Sequence, residues 1–92
     1  MRVQKSSRDG KKYMLEYNGK TIHFGQEGAS DYTINKDPKR KASYISRHQK
    51  NENWTKSGAN TAGFWSRWLL WNEPISVAGN MKLVHKKFNI ST

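Results

Sequence analysis

Lys11-Lys12-Tyr13-Met14-Leu15-Glu16-Tyr17-Asn18-Gly19-Lys20-Thr21-Ile22-His23-Phe24 is the stretch that decides the fold class. Asn18-Gly19 sits between two runs that mix apolar and polar residues, and both turn residues tolerate the positive φ of a type I′ turn, so the segment predicts a β-hairpin. A two-residue turn fixes the register. Tyr17 then faces Lys20, Leu15 faces Ile22 and Tyr13 faces Phe24. Tyr13, Leu15, Ile22 and Phe24 share one apolar face, with Met14, Glu16, Thr21 and His23 on the other. An isolated hairpin is marginal in water. Arg2-Val3-Gln4-Lys5 is therefore expected to add a third strand across the Ser6-Ser7-Arg8-Asp9-Gly10 turn, and the apolar face requires cover from helices.

Gly25-Gln26-Glu27-Gly28-Ala29-Ser30 reads as a connector, after which Ser30-Asp31 or Thr33 caps a short turn. Asp37-Pro38 starts a helix, with aspartate accepting backbone N–H bonds and proline at the first helical position. Its expected course is to about Lys50, with Ala42, Ile45 and Gln49 on a thin apolar line beside Tyr44 and His48. Residues 51–60 break the helix and Trp54 folds back as a plug. Thr61 caps a second helix to about Trp71, on which Phe64, Trp68 and Trp71 fall at i, i+4 and i+7 beside a row of Trp65 and Leu69. Pro74 ends it. Val77, Met81, Val84 and Phe88 recur at helical spacing, but Gly79-Asn80 interrupts them.

The expected architecture is α+β: a small N-terminal antiparallel hairpin or three-stranded sheet packed on two to three helices. It forms a single domain over residues 1–92, with 11–74 as its core and 75–92 as a C-terminal helix or arm. The expected core aromatics are Trp54, Phe64, Trp65, Trp68 and Trp71.

Composition sharpens this. Only 34% of the residues are hydrophobic, which lies towards the disordered end of the range, yet there are four Trp, four Tyr and three Phe. Each ring removes about 150–250 Å² from water, enough to hold a fold that aliphatic residues alone would not. The absence of cysteine excludes a disulfide framework and thiolate metal sites. No apolar run approaches the roughly 18 residues of a membrane span and no leader pattern opens the chain, so an intracellular location without a membrane partner is expected.

Seventeen Lys and Arg against seven Asp and Glu give a net charge of +10. The excess gathers in two places: Arg8, Lys11 and Lys12 near the N-terminus, and Lys36, Lys39, Arg40, Lys41, Arg47 and Lys50 along the first long helix. Such an imbalance costs self-repulsion unless an anion is bound, which points to nucleic acid contacted through its phosphates. Base reading would require Arg40, Arg47, Gln49 or Asn51 to enter a groove. The tryptophans suit a core better than a stacking platform, and Arg67 within their cluster suits a cation–π contact.

Catalysis has weaker support. His23, His48 and His85 lack the spacing of a zinc site. Asp37 is a helix cap and Glu73 belongs to a helix stop, leaving Asp31, Glu52 and His48 as the one grouping of catalytic residue types. Ser43 and Ser66 have no recognisable base, and the Gly25–Gly28 loop lacks the lysine of a phosphate loop. No cofactor or metal is expected, and the protein is expected not to be an enzyme.

Six motifs together carry a resemblance: His23-Phe24-Gly25; Ser30-Asp31-Tyr32-Thr33; Lys36-Asp37-Pro38-Lys39-Arg40-Lys41; Tyr44-Ile45 with Arg47-His48; Asn51-Glu52-Asn53-Trp54; and Gly63-Phe64-Trp65-Ser66-Arg67-Trp68-Leu69-Leu70-Trp71-Asn72. Over about residues 11–74 the chain resembles a family of small basic uncharacterised proteins of large double-stranded DNA viruses of algae and protists. The resemblance implies a protein of the infected host cell, in nucleus or cytoplasm, and of the virion. The expected role is nucleic-acid binding. The alternative is a structural virion component that binds larger acidic viral or capsid proteins, with Trp54, Phe64 or Trp71 as exposed anchors.

Overall fold

In the computed structural model, which describes residues 2–90, the hairpin forms as its turn chemistry predicts. Strands β2 (Lys11–Tyr17) and β3 (Lys20–Gln26) pair antiparallel, with Tyr17 opposite Lys20, Leu15 opposite Ile22 and Tyr13 opposite Phe24. Asn18 and Gly19 take the positive φ that the turn requires, 50° and 78°. The third strand, β1 (Gln4–Lys5), is shorter than expected and pairs with the outer edge of β2, Gln4 opposite Met14 and Lys5 opposite Tyr13. Leu15, Ile22 and Phe24 are buried, whereas Glu16 and Thr21 on the other face are exposed.

Four helices follow: α1 (Tyr32–Asn35), α2 (Pro38–His48), α3 (Ala62–Trp65) and α4 (Val77–Phe88), with a 3₁₀ turn over Lys56–Gly58. Asp31 caps α1 by accepting from Thr33 N at 2.9 Å, and Asp37 caps α2 by accepting from Lys39 N at 3.0 Å. Helix α2 stops at His48, short of Lys50, and its expected inward line is corrected. Ala42 and Gln49 are exposed. The inward stripe is Lys41, Tyr44 and His48, at i, i+3 and i+7, with Tyr44 buried and Ile45, the one member of the expected line turned inward, half-buried beside it. Tyr44 turns inward because its ring stacks on Trp71, and Lys41 follows because its ammonium lies over the Tyr32 ring and donates to the Asn72 carbonyl.

The second helix departs from the straight α-helix expected over Thr61–Trp71. Thr61 caps it, but after Trp65 the chain widens into a π-turn over Ser66–Leu70, closed by Trp71 N donating to Ser66 O at 3.1 Å. In an α-helix, residues five apart lie roughly 140° apart around the axis. Here the pair Phe64 and Trp65 and, five residues on, the pair Leu69 and Leu70 are all at most 2% exposed. The wider turn brings both pairs onto one face. Trp68 and Trp71, expected in line with Phe64, are rotated to half-buried positions beside the core.

Gly79-Asn80 does not interrupt the C-terminal segment, which is a continuous helix. Ser76 caps α4 by accepting from Gly79 N, and a Cβ on Gly79 would stand 2.9 Å from Ile75 Cδ1. Asn80 is fully buried and satisfied: its amide donates to Leu69 O and Glu73 O, and its oxygen accepts from Glu73 N. It therefore ties α4 to the end of the π-turn, and Met81, Val84 and Ile90 join the core. The core thus extends beyond residue 74. Asn89 takes a left-handed conformation, and His85 Nδ1 donates to the Ile90 carbonyl as the chain folds back. The radius of gyration is 12.3 Å, against about 12 Å for a compact domain of this length.

Candidate functional site

The two basic segments, distant in sequence, meet across one cleft of about 790 Å³. Lys11 and Lys12 enter from β2, beside Gly25 and Gln26 of β3. Lys39, Arg40 and Arg47 enter from α2, together with Ser43, Tyr44 and His48. Ala62, Gly63, Ser66, Leu70 and Trp71 line it from α3 and the π-turn, and Asp31 and Glu52 supply its carboxylates. Five cations and two carboxylates thus share a concave surface. Gly25 makes the sheet wall fit: its φ is 79° and a Cβ there would meet Leu70 Cδ1 at 2.9 Å.

The carboxylates differ in how they are held. Asp31 is 2% exposed; besides capping α1 it accepts from Thr33 Oγ1, and its other oxygen takes Lys12 Nζ at 2.7 Å. That is the one ion pair among the described residues, and it leaves Lys11, Lys39, Arg40 and Arg47 as the cleft cations without a carboxylate partner. Glu52 is half-buried and lies against Gly63, where a Cβ would sit 1.6 Å from Oε2. Glycine at 63 is what admits the carboxylate.

One wall is aromatic. Tyr44 stacks on His48 at 4.5 Å and on Trp71 at 4.6 Å with the latter rings 7° from parallel, and Trp54 lies 6.2 Å away at 11°. Burial, reinforced by Glu52, raises the Tyr44 phenol to about 12 against the partial opposition of Arg67 and Arg47. Arg67 lies over the Trp68 and Trp54 rings at 4.3 and 5.4 Å and donates to Trp71 O at 2.8 Å, which realises the expected cation–π contact. Burial lowers the Arg67 guanidinium, with Tyr44 and Glu73 opposing. Lys41 is lowered by burial and by Arg67, with Glu73 opposing. Both cations donate to carbonyls just past the C-terminal end of the π-turn, Arg67 to Trp71 O and Lys41 to Asn72 O, a favourable place for positive charge.

Of the nine basic residues singled out in the sequence, five therefore line the cleft. Lys41 is engaged with Tyr32 and Asn72. Lys36, in left-handed conformation at the end of α1, and the exposed Lys50 and Arg8 lie outside the cleft, as do Gln49 and Asn51. Phe64 is fully buried and presents no anchor, while Trp54 and Trp71 are half-buried. Asp31, Glu52 and His48 all reach the cleft, but no group of three or more His, Cys, Asp or Glu that could hold a metal ion occurs among the described residues. No described helix is long and apolar enough to cross a membrane. Sequence reasoning treated Glu52 only as a possible catalytic acid and Tyr44 only as helix packing. The signal for Glu52 was Gly63, whose missing side chain makes sense only beside a close neighbour.

Residues 1–48 match the model of a family of unknown function, DUF5754, and the chain belongs to that family. The match takes in the sheet, α1 and α2, which carry all five cleft cations. No curated protein and no solved structure matches the chain.

Proposed function

We propose that this member of the DUF5754 family binds the phosphate backbone of nucleic acid through its basic cleft, without catalysis. The observation that carries the reading is the convergence of Lys11 with Lys39, Arg40 and Arg47 on one concave surface from segments about thirty residues apart in the chain. Cations facing one another across a cleft repel, and a lodged polyanion relieves that repulsion while releasing its own counterions. In the viral setting that the resemblance implies, the polyanion is DNA or RNA of the infected cell, and the protein works there and in the virion.

The test is titration of the protein with random-sequence DNA over a range of salt. Log affinity is expected to fall steeply with log salt, and the double variant Arg40→Ala with Arg47→Ala to flatten that slope by roughly one to two units. Absence of binding at low salt sinks the reading.

A further inference from the structure

One group in the cleft has no part in holding phosphate. Glu52 stands among the cations, yet none pairs with its carboxylate and it accepts no hydrogen bond from any described residue. Its placement is built, because only glycine at position 63 leaves room for Oε2. A carboxylate there repels phosphate and accepts N–H. A ligand that satisfies the whole cleft therefore carries phosphates for its walls and N–H donors for the region of Glu52.

A duplex does not present both to a concave site, since its phosphates lie on the convex outside and its base edges lie within the grooves. An unpaired nucleotide does. The volume of about 790 Å³ falls in the range that encloses a compact ligand, roughly 300–1,000 Å³. The half-buried His48 and Trp71, which stack on the buried Tyr44 ring and line the same cleft, add aromatic surface on which unpaired bases can rest.

We infer that the cleft takes single-stranded nucleic acid, with its phosphates between Lys11 of the sheet and Lys39, Arg40 and Arg47 of α2, and that Glu52 accepts a hydrogen bond from the amino group of an unpaired base. This inference rests on the nucleic-acid reading above. Cytosine is the simplest such base, because its N4 amino group donates where thymine offers an O4 acceptor.

The full chain is titrated at low salt with labelled oligo-dC, oligo-dT and a mixed-sequence duplex, and the two single strands are repeated with Glu52→Gln. Oligo-dC is expected to bind roughly five- to tenfold more tightly than oligo-dT, and the duplex more weakly than oligo-dC. Glu52→Gln, whose amide accepts from cytosine N4 but also donates to thymine O4, is expected to bring oligo-dC to within about twofold of oligo-dT while leaving the salt slope unchanged. Equal binding of the two single strands by the unaltered protein, or a duplex bound as tightly as oligo-dC, overturns the inference and leaves phosphate binding standing; this arm needs no variant to fold. A folded Glu52→Gln protein that keeps its dC preference also overturns it, and makes Glu52 a brace for α3. Failure of all three ligands to bind sinks both readings together.

Discussion

Two aromatic layers meet along the π-turn and are packed on different terms. Around Trp65 the rings meet edge-on: Tyr17 at 5.8 Å and 61°, Phe64 at 4.9 Å and 79°, and Phe64 in turn against Phe88 at 5.1 Å and 61°. The one polar atom of Trp65 is served, its Nε1 donating to Ala59 O at 2.6 Å. Around Tyr44 the rings lie flat on one another and the cation Arg67 caps the neighbouring indoles. There the buried Trp54 Nε1 and Arg67 Nε have no partner among the described residues. Edge-on rings interlock in three dimensions and exclude water, so they fix the chain's position. Flat rings leave polar edges at their rims, and Tyr44, His48 and Trp71 of this layer line the cleft. The first layer makes the fold, and the second carries polar chemistry to its surface.

The sharpest way to break this contrast is to remove one indole from each layer. Trp65→Ala is expected to cost about 3–5 kcal/mol of unfolding free energy in a denaturant titration, because a fully buried ring leaves a cavity and strands the Ala59 carbonyl. Trp71→Ala is expected to cost clearly less, since that ring, stacked flat on Tyr44, is half-buried. Equal losses would show that the two layers are not distinct. Next in size is Asn80→Ala, expected to cost about 1–3 kcal/mol by leaving Leu69 O, Glu73 O and Glu73 N without their partner. A neutral outcome there would mean that water replaces the amide, and that the edge-on layer is less dry than its geometry implies.

The legible parts of the molecule are those governed by local rules. Asn18-Gly19 set both the turn and the register of the hairpin, and Asp31, Asp37 and Thr61 capped their helices because each cap depends on a few neighbouring backbone groups. The π-turn was not legible. Its cause is a demand from outside the segment, that Phe64, Trp65, Leu69 and Leu70 all face the sheet and α4, and periodicity within the segment suggested 3.6 residues per turn instead. Asn80 misled for a similar reason. Next to glycine it read as a break, whereas its partners lie seven to eleven residues earlier in the chain, at the end of the π-turn. For the cleft, charge clustering marked two basic segments, but only the fold separates Arg40 and Arg47, which face the cleft, from Lys41, one position along, which donates to Asn72 O.

The smallest expected effect tests how closed the flat layer is. The Tyr44 phenol, ordinarily at 10.0, is held at about 12 by burial and by Glu52. The unfolded chain therefore gives up this proton near pH 10, whereas the folded protein keeps it to about pH 12. Across that window the folded state binds more protons, so stability that is intact below pH 10 declines as the pH rises. Lys41 acts in the opposite sense: its lowered ammonium makes the unfolded chain the stronger proton binder in the window below 10.5. That contribution is common to the wild type and to a Tyr44 variant, and it cancels in their difference. Tyr44→Phe keeps the ring and both of its stacks while removing the titration. Its denaturation midpoint is expected to stay close to wild type near neutral pH and to fall less steeply between pH 10 and 12. Parallel curves for the two proteins would mean that water from the cleft solvates the Tyr44 hydroxyl, and that the aromatic wall of the cleft is wet at its phenol edge.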